Sequence, residues 1–277
     1  MRPIGIVSDD AGLISRLTSV VAAALGRSAI VVPPSIPIAQ SAVADCRVTL
    51  VAVEGAARRD VCRELRQRGD LTVVDVLGGP TLPGFEIAAN AALSSSSDGC
   101  RYISMVLGEA LHVGRLGAAL TAFSPVRCVV NVFGVRAAEA ESAMWRDLSE
   151  SDVLKQLRVV WPAAPAACSW TEAPVLPVGP RDALGMTLHI EFGDPVSLHE
   201  IEVALVATGM VSPITSKGRD MARFAERVTE TGLIAVAVDG ALPSDREVRL
   251  VAAGPSSEDV AIANVARMAK LLDSDAS

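Results

Sequence analysis

The chain has 277 residues, half of them hydrophobic, 21% charged and only 3% aromatic. That apolar content excludes global disorder, and the length is enough to bury a core without disulfide or metal staples. A net charge of −7 argues against a general nucleic-acid binder, and no apolar run is long enough to span a bilayer.

Ile4–Val7 is a short apolar run that stops at Ser8-Asp9-Asp10. It reads directly into a strand, so a signal peptide is not expected. Leu13, Leu17, Val20, Val21, Ala24 and Leu25 then recur at helical spacing, and Gly26 is a natural stop. Ala29–Val32, Arg47–Val53 and Leu71–Leu77 read as further strands, with a helix between the last two that carries Val61, Cys62 and Leu65 inward. Strands alternating with helices predict parallel βαβ units and an α/β fold. The run Ser94–Ser97 followed by Asp98-Gly99 marks a polar break.

Beyond it, the pattern predicts an apolar helix over about 103–123, a strand at Arg127–Phe133 and a helix over 137–157. Proline-rich Val159–Pro180 is expected to be irregular. Met186–Phe192 reads as a strand, and Ser197–Ala207 as a helix capped by Ser197 with Glu200 three residues on. Leu233–Val238 and Glu247–Ala253 read as strands, and 256–272 as a closing helix that packs back on the first half. The second half is richer in strands and long connections than the first. These changes divide the chain into 1–100, completed by a helix at 255–273, and 101–254.

The five cysteines (Cys46, Cys62, Cys100, Cys128 and Cys168) are odd in number and form no CxxC pair. This points to a reducing, cytoplasmic setting and away from a zinc site. Cys46, Cys62 and Cys128 fall on apolar faces and read as core. His112, His189 and His199 read as structural or surface residues, and Glu139, Glu141, Glu150 and Asp152 as a solvated helix face. Trp145, Trp161 and Trp170 surround the proline-rich stretch, where they either anchor it to the core or form a patch for a partner.

Four segments together resemble the aspartate-semialdehyde dehydrogenase family. They are VTLVAVEGAARRDVCRELRQRGDLTVVDVLGG (48–79), RCVVNVFGVRAAEAESAMWRDL (127–148), MTLHIEFGDPVSLHEIEVAL (186–205) and VRLVAAGPSSEDVAIANVARMAKLL (248–272). The resemblance implies a Rossmann-like parallel-sheet N-terminal domain closed by the C-terminal helix. It also implies an α+β dimerisation domain, and hence a homodimer or a heteromer with an active relative.

It further implies where functional residues belong, and there this chain departs from the family. The glycine turn GxxGxxG falls on Ser8, Ala11 and Ile14, with Gly12 one position out of register. Asp9 and Asp10 bring negative charge to a helix start that would otherwise favour phosphate. Two readings stand for this turn: a self-capped helix start, or a nucleotide site of altered geometry. The nucleophilic cysteine falls at Leu107 or Gly108, leaving Cys100 as the fallback. The general-base histidine falls at Leu184, preceded by Ala183, and the substrate-clamping arginine near Leu176, with Arg181 offset. Ser256 and Ser257, before Glu258 and Asp259, read as a helix cap at a turn that lies near the cofactor in the family.

The expectation is a dehydrogenase-like protein without catalytic Cys, His or glycine turn, serving as an interaction or assembly subunit with no cofactor. The alternatives are an NAD(P)-dependent semialdehyde oxidoreductase with relocated groups, using NADP, and a small-molecule sensor that binds without turnover. No nucleic-acid or membrane partner is expected.

Overall fold

The computed structural model describes residues 3–53, 55–68, 71–79, 82, 84–88, 102–137, 149–179, 183–214, 220–239 and 246–274. The chain divides into two compact units. One comprises Met1–Leu107 and Glu258–Ser277, the other Gly108–Trp145 and Ser149–Ser257.

In the first unit, β1 (Ile4–Val7), α1 (Ala11–Leu25), β2 (Ala29–Val32), β3 (Val48–Val51), α2 (Gly55–Arg66), β4 (Thr72–Asp75), β5 (Glu86–Ala88) and β6 (Tyr102–Met105) follow in order. The strands form a parallel sheet ordered β2-β1-β3-β4-β6-β5. One face buries Ile4, Ile6, Leu50 and Val74 against Leu13, Leu17 and Val21 of α1. Ala261 and Val265 of α7 (Ser257–Ser274) join that cluster. The other face buries Val7, Val51 and Val73 against Val61, Cys62 and Leu65 of α2. Sheet strands covered on both faces read as apolar runs without alternation, which is why they stand out in the sequence. Helix α1 ends at Gly26 with φ of 60°, a left-handed position where glycine carries no Cβ penalty, and its N–H donates to the Ala22 carbonyl at 3.0 Å.

The second unit holds α3 (Gly108–Ala119), β7 (Pro125–Ala137), α4 (Glu150–Val160), β8 (Ala167–Gly179), β9 (Ala183–Phe192), α5 (Leu198–Ala207), β10 (Val211–Pro213), α6 (Met221–Thr231), β11 (Ile234–Asp239) and β12 (Glu247–Pro255). Its sheet is mixed, ordered β10-β11-β12-β9-β7-β8. The pairs β10–β11 and β7–β8 are parallel, and the other three are antiparallel. This α/β architecture of two sheets and seven described helices agrees with the fold class expected from the sequence.

Four local expectations are corrected. The helix expected over 103–123 is a strand, Tyr102–Met105, followed by a helix at Gly108–Ala119. A short apolar run such as ISMVL satisfies either periodicity, and pairing with β4 and β5 decides it. The helix expected over 137–157 is confined to Glu150–Val160. There Ser149 caps it by accepting from the Asp152 N–H at 3.2 Å, while β7 runs on to Ala137. Residues 138–148 lie outside the described residues, as do Glu139, Glu141 and Trp145.

The proline-rich stretch is not irregular, because Ala167–Gly179 is a 13-residue strand. Among the described residues strand β8 is at the sheet edge and pairs only with β7, so Pro174 and Pro177 are tolerated there despite lacking an N–H. Ser197 precedes α5, but its side chain makes no cap hydrogen bond, so the expected capping box does not form. Helix α6 has no counterpart among the elements expected from the sequence. Asp220 starts it by accepting from the Ala222 N–H at 3.0 Å, and Phe224, Ala225 and Val228 bury its inner face.

Trp161 and Trp170 anchor the stretch between α4 and β8 to the core of the second unit. Trp161 is fully buried, its ring lies where Gly117 has no side chain, and its Nε1–H donates to Thr121 Oγ1 at 3.0 Å. Trp170 is buried as well, so neither ring is part of a surface patch.

Candidate functional site

In an open parallel sheet, ligands bind outside the carboxyl ends of the strands, at the point where strand order reverses. Here that point lies at β1, whose neighbours β2 and β3 lie on opposite sides of it. The segment leaving β1 is Ser8-Asp9-Asp10-Ala11-Gly12. Ser8 is buried, its N–H donates to the Val32 carbonyl at 3.2 Å, and its Oγ accepts from the Asp10 N–H at 3.2 Å. Asp10 is the N-cap of α1, with Oδ1 accepting from the Leu13 N–H at 2.8 Å. The same Oδ1 lies 3.3 Å from the point a Cβ on Gly12 would occupy. Asp9, Asp10, Ala11 and Gly12 are exposed, and Ile14 is half-buried.

The turn therefore supplies its own anion to the helix N-terminus, where positive partial charge and free N–H groups gather. Replacing Asp10 with Ala removes that acceptor. We expect a loss of about 1 kcal/mol, read as a lowered urea midpoint at unchanged slope.

Arg16, further along α1, reaches the start of α7 and pairs with Asp259 and, at 3.4 Å, with Glu258. All three side chains are about half exposed, so this pair is worth little stability. Ser256 is partly exposed immediately before α7, and Ser257 is the first residue of that helix.

A second polar group at strand ends has almost no signature in the sequence. Arg58 of α2, 2% exposed, donates through Nη2 to Asp75 Oδ2 at the end of β4. Ser104 of β6 donates to the same Asp75 oxygen at 2.6 Å and accepts from Arg58 at 3.3 Å. Asp75 is fully buried, and its Oδ1 has no hydrogen-bond partner among the described residues. Gly79, at φ of 149°, passes over the guanidinium so closely that a Cβ would come within 2.8 Å of Nη1. The only sequence signal is a charged residue at the inner position of each element, Arg58 in AARRDV and Asp75 in TVVDVL.

The positions that the resemblance marks out are apolar. Leu107 is buried, and Gly108 is the first residue of α3 and buried too. Leu184 is half-buried in β9, in register with Gly254 of β12 and Gly134 of β7. Leu176 lies in β8. Cys100 and Arg181 lie outside the described residues.

One histidine has an unusual setting. His112, one turn after Gly108 in α3, is 1% exposed, with the backbone of Gly254 against its ring. Its Nε2 lies 2.9 Å from the Pro255 carbonyl, which can only accept, so Nε2 carries the hydrogen. Nδ1 is then a bare acceptor, buried and without a donor among the described residues. Burial is the main force lowering its pKa, from the ordinary 6.5 to about 4. The Pro255 hydrogen bond works against that fall. His189 and His199 are exposed.

Cys46 and Cys62 are buried, and burial pushes both thiols up, Cys62 to about 12. Neither is poised as a nucleophile. Among the described residues no hydrogen bond joins a cysteine to a histidine. Nor does any group of three or more His, Cys, Asp or Glu residues among them stand ready for a metal ion. No described helix is long and apolar enough to cross a membrane.

No family model matches the sequence, and no curated protein matches it significantly. The structure does have counterparts. Aspartate semialdehyde dehydrogenase II from Vibrio cholerae, solved in complex with ASA, aligns with a TM-score of 0.63 at 10% identity over 99% of this chain and 98% of that one. A second structure of that enzyme aligns with a TM-score of 0.66 at 9% identity, with the same coverage. A probable aspartate-semialdehyde dehydrogenase from Pseudomonas aeruginosa gives 0.66 at 13% identity over 98% and 99% of the two chains. At these identities the likeness concerns architecture, and along nearly its whole length this chain has the two-domain fold of the aspartate-semialdehyde dehydrogenases.

Proposed function

We propose that the chain is an aspartate-semialdehyde dehydrogenase-like protein that carries out no hydride transfer and works as an interaction or assembly subunit. The observation that carries this reading is the Asp10 carboxylate on the N-terminus of α1. A pyrophosphate at that turn would compete with Asp10 for the Leu13 N–H and meet the charges of Asp9 and Asp10 at close range. The turn does not suit a dinucleotide, and no cofactor is assigned to this protein.

The positions for nucleophile and base support the same reading. Leu107, Gly108 and Leu184 offer neither a thiol nor a proton acceptor. Acyl-transfer and hydride chemistry on an aldehyde needs both in one place.

Self-association as a homodimer, or pairing with an active relative, is the partner reading that goes with this fold. The second sheet offers a surface for it. Helix α6 packs on one part of one face, around Val251 and Ala253. Elsewhere on that face Arg127 opposes Glu191 in register and Asn131 donates to Thr187 at 3.2 Å, with Arg127 and His189 exposed. Four described free cysteines fit a reducing compartment, and we place the protein in the cytoplasm.

The test is turnover. Purified protein is incubated with an aliphatic semialdehyde, inorganic phosphate and NADP, and absorbance at the reduced nicotinamide band is followed. We expect no rate above the enzyme-free control, and no difference between wild type and Cys100→Ala. A rate that Cys100→Ala abolishes would establish relocated catalysis and overturn the proposal.

A further inference from the structure

Cys128 and Cys168 are paired in the sheet. They sit on adjacent parallel strands, β7 and β8, as direct partners in register. Neighbouring strands run about 4.8 Å apart, inside the roughly 4.4–6.8 Å that a disulfide requires between Cα atoms. Side chains alternate across a strand, so residues in register point to the same face. Cys128 shares its face with buried Val130 and Val132, and Cys168 with buried Trp170.

The two thiols differ in access. Cys128 is fully buried, whereas Cys168, on the outer of the two strands, is only partly buried, and both are free. We propose that Cys128 and Cys168 form a redox-active dithiol, in which Cys168 meets a peroxide and Cys128 resolves it to a disulfide that staples edge strand β8 to β7.

The chemistry balances with a peroxide as oxidant. The Cys168 thiolate attacks one peroxide oxygen. The O–O bond breaks, the other oxygen leaves and takes a proton, and Cys168 becomes a sulfenic acid. The Cys128 sulfur then attacks the Cys168 sulfur. The S–O bond breaks, and hydroxide leaves with the Cys128 proton as water. Two thiols lose two electrons in total, and one peroxide gains them. A dithiol reductant reverses the step by exchange.

The surroundings suit these roles. The neighbouring Cys128 side chain is the main influence lowering the Cys168 thiol, with burial working against it, and the same pairing together with burial raises the Cys128 thiol. Arg158 of α4 also favours the Cys168 thiolate, while Glu150 at the other end of α4 opposes it. Glu150 is engaged in its own bond, accepting from the Trp170 N–H at 2.9 Å. Cys168 is the sulfur that a peroxide can reach, and buried Cys128 beside it is the resolving partner. This chemistry is independent of whether the chain reduces a carbonyl.

Trypsin cuts after Arg127, Arg136, Arg158 and Arg181, so each thiol lies on its own peptide. The full chain is treated with dilute hydrogen peroxide, alkylated, digested without reductant and read by mass spectrometry. We expect one linked species, peptide 128–136 joined to 159–181, lighter than the sum by two hydrogens and released by dithiothreitol. In Cys128→Ser the sulfenic acid persists, and dimedone labels Cys168. In Cys168→Ser, Cys128 stays unmodified. If both thiols of the wild type remain alkylatable, or if Cys168 links instead to Cys100, the proposal is wrong. The wild-type map decides this even if a serine variant folds poorly.

Discussion

Replacing Arg58 with Met is expected to destabilise the first unit by about 3–5 kcal/mol. The reason is what remains behind. Asp75 is fully buried and is held by Arg58 and Ser104 through a single oxygen, its other oxygen having no partner among the described residues. Without the guanidinium, a fully buried carboxylate is left on the sheet face that carries Val73 with one hydroxyl for company. The cost is that of an uncompensated buried charge, not the net worth of the ion pair. The two are distinguishable, because a buried pair replaced on both sides by apolar residues is often neutral. The double variant Arg58→Met/Asp75→Leu is therefore expected to recover most of the loss in a urea titration. A double variant as unstable as the sum of the singles would show that the two residues act independently.

Acidification is expected to weaken the second unit through His112. Its folded pKa, about 4, lies below the ordinary 6.5, chiefly because burial disfavours the cation. Arg115 pushes in the same direction, while the Pro255 carbonyl and Glu109 push against it. Between those two values the unfolded chain binds a proton that the folded chain does not. The contribution is thus fully present above pH 6.5 and is lost as the pH falls through the folded value. Its size is about 3 kcal/mol, because each tenfold weakening of proton affinity on folding is worth about 1.4 kcal/mol. In His112→Gln the amide can still donate to Pro255 but cannot titrate. Plotted against pH between 4 and 6.5, its stability is expected to fall less steeply than that of wild type. Parallel curves would assign the acid sensitivity to other groups.

The fold is largely legible wherever one physical signal decides the structure. Buried parallel strands such as Val48–Val51 read as unbroken apolar runs, and α1 announces itself through Leu13, Leu17 and Val21 and its glycine stop. Illegible segments are those that the sheet decides. Tyr102–Met105 takes its conformation from β4 and β5, and β8 keeps its prolines because among the described residues it has a neighbour on one side only.

The site divides in the same way. The Asp10 cap is local, spanning three residues, and a sequence reader can see it. Arg58 meets Asp75 across 17 residues, and His112 meets Pro255 across 143. Such contacts leave nothing in the sequence beyond a polar residue at an apolar position. Cys128 and Cys168 are separately visible as small residues in apolar runs, but only strand register makes them neighbours.

The most direct test of the central claim is calorimetric titration of NADP and NAD into the full-length protein, with Asp10→Gly alongside. No heat of binding is expected in wild type up to millimolar dinucleotide, because the protein's own carboxylate already holds the N-terminus of α1. Saturable binding in wild type, undiminished by the presence of Asp10, would contradict it.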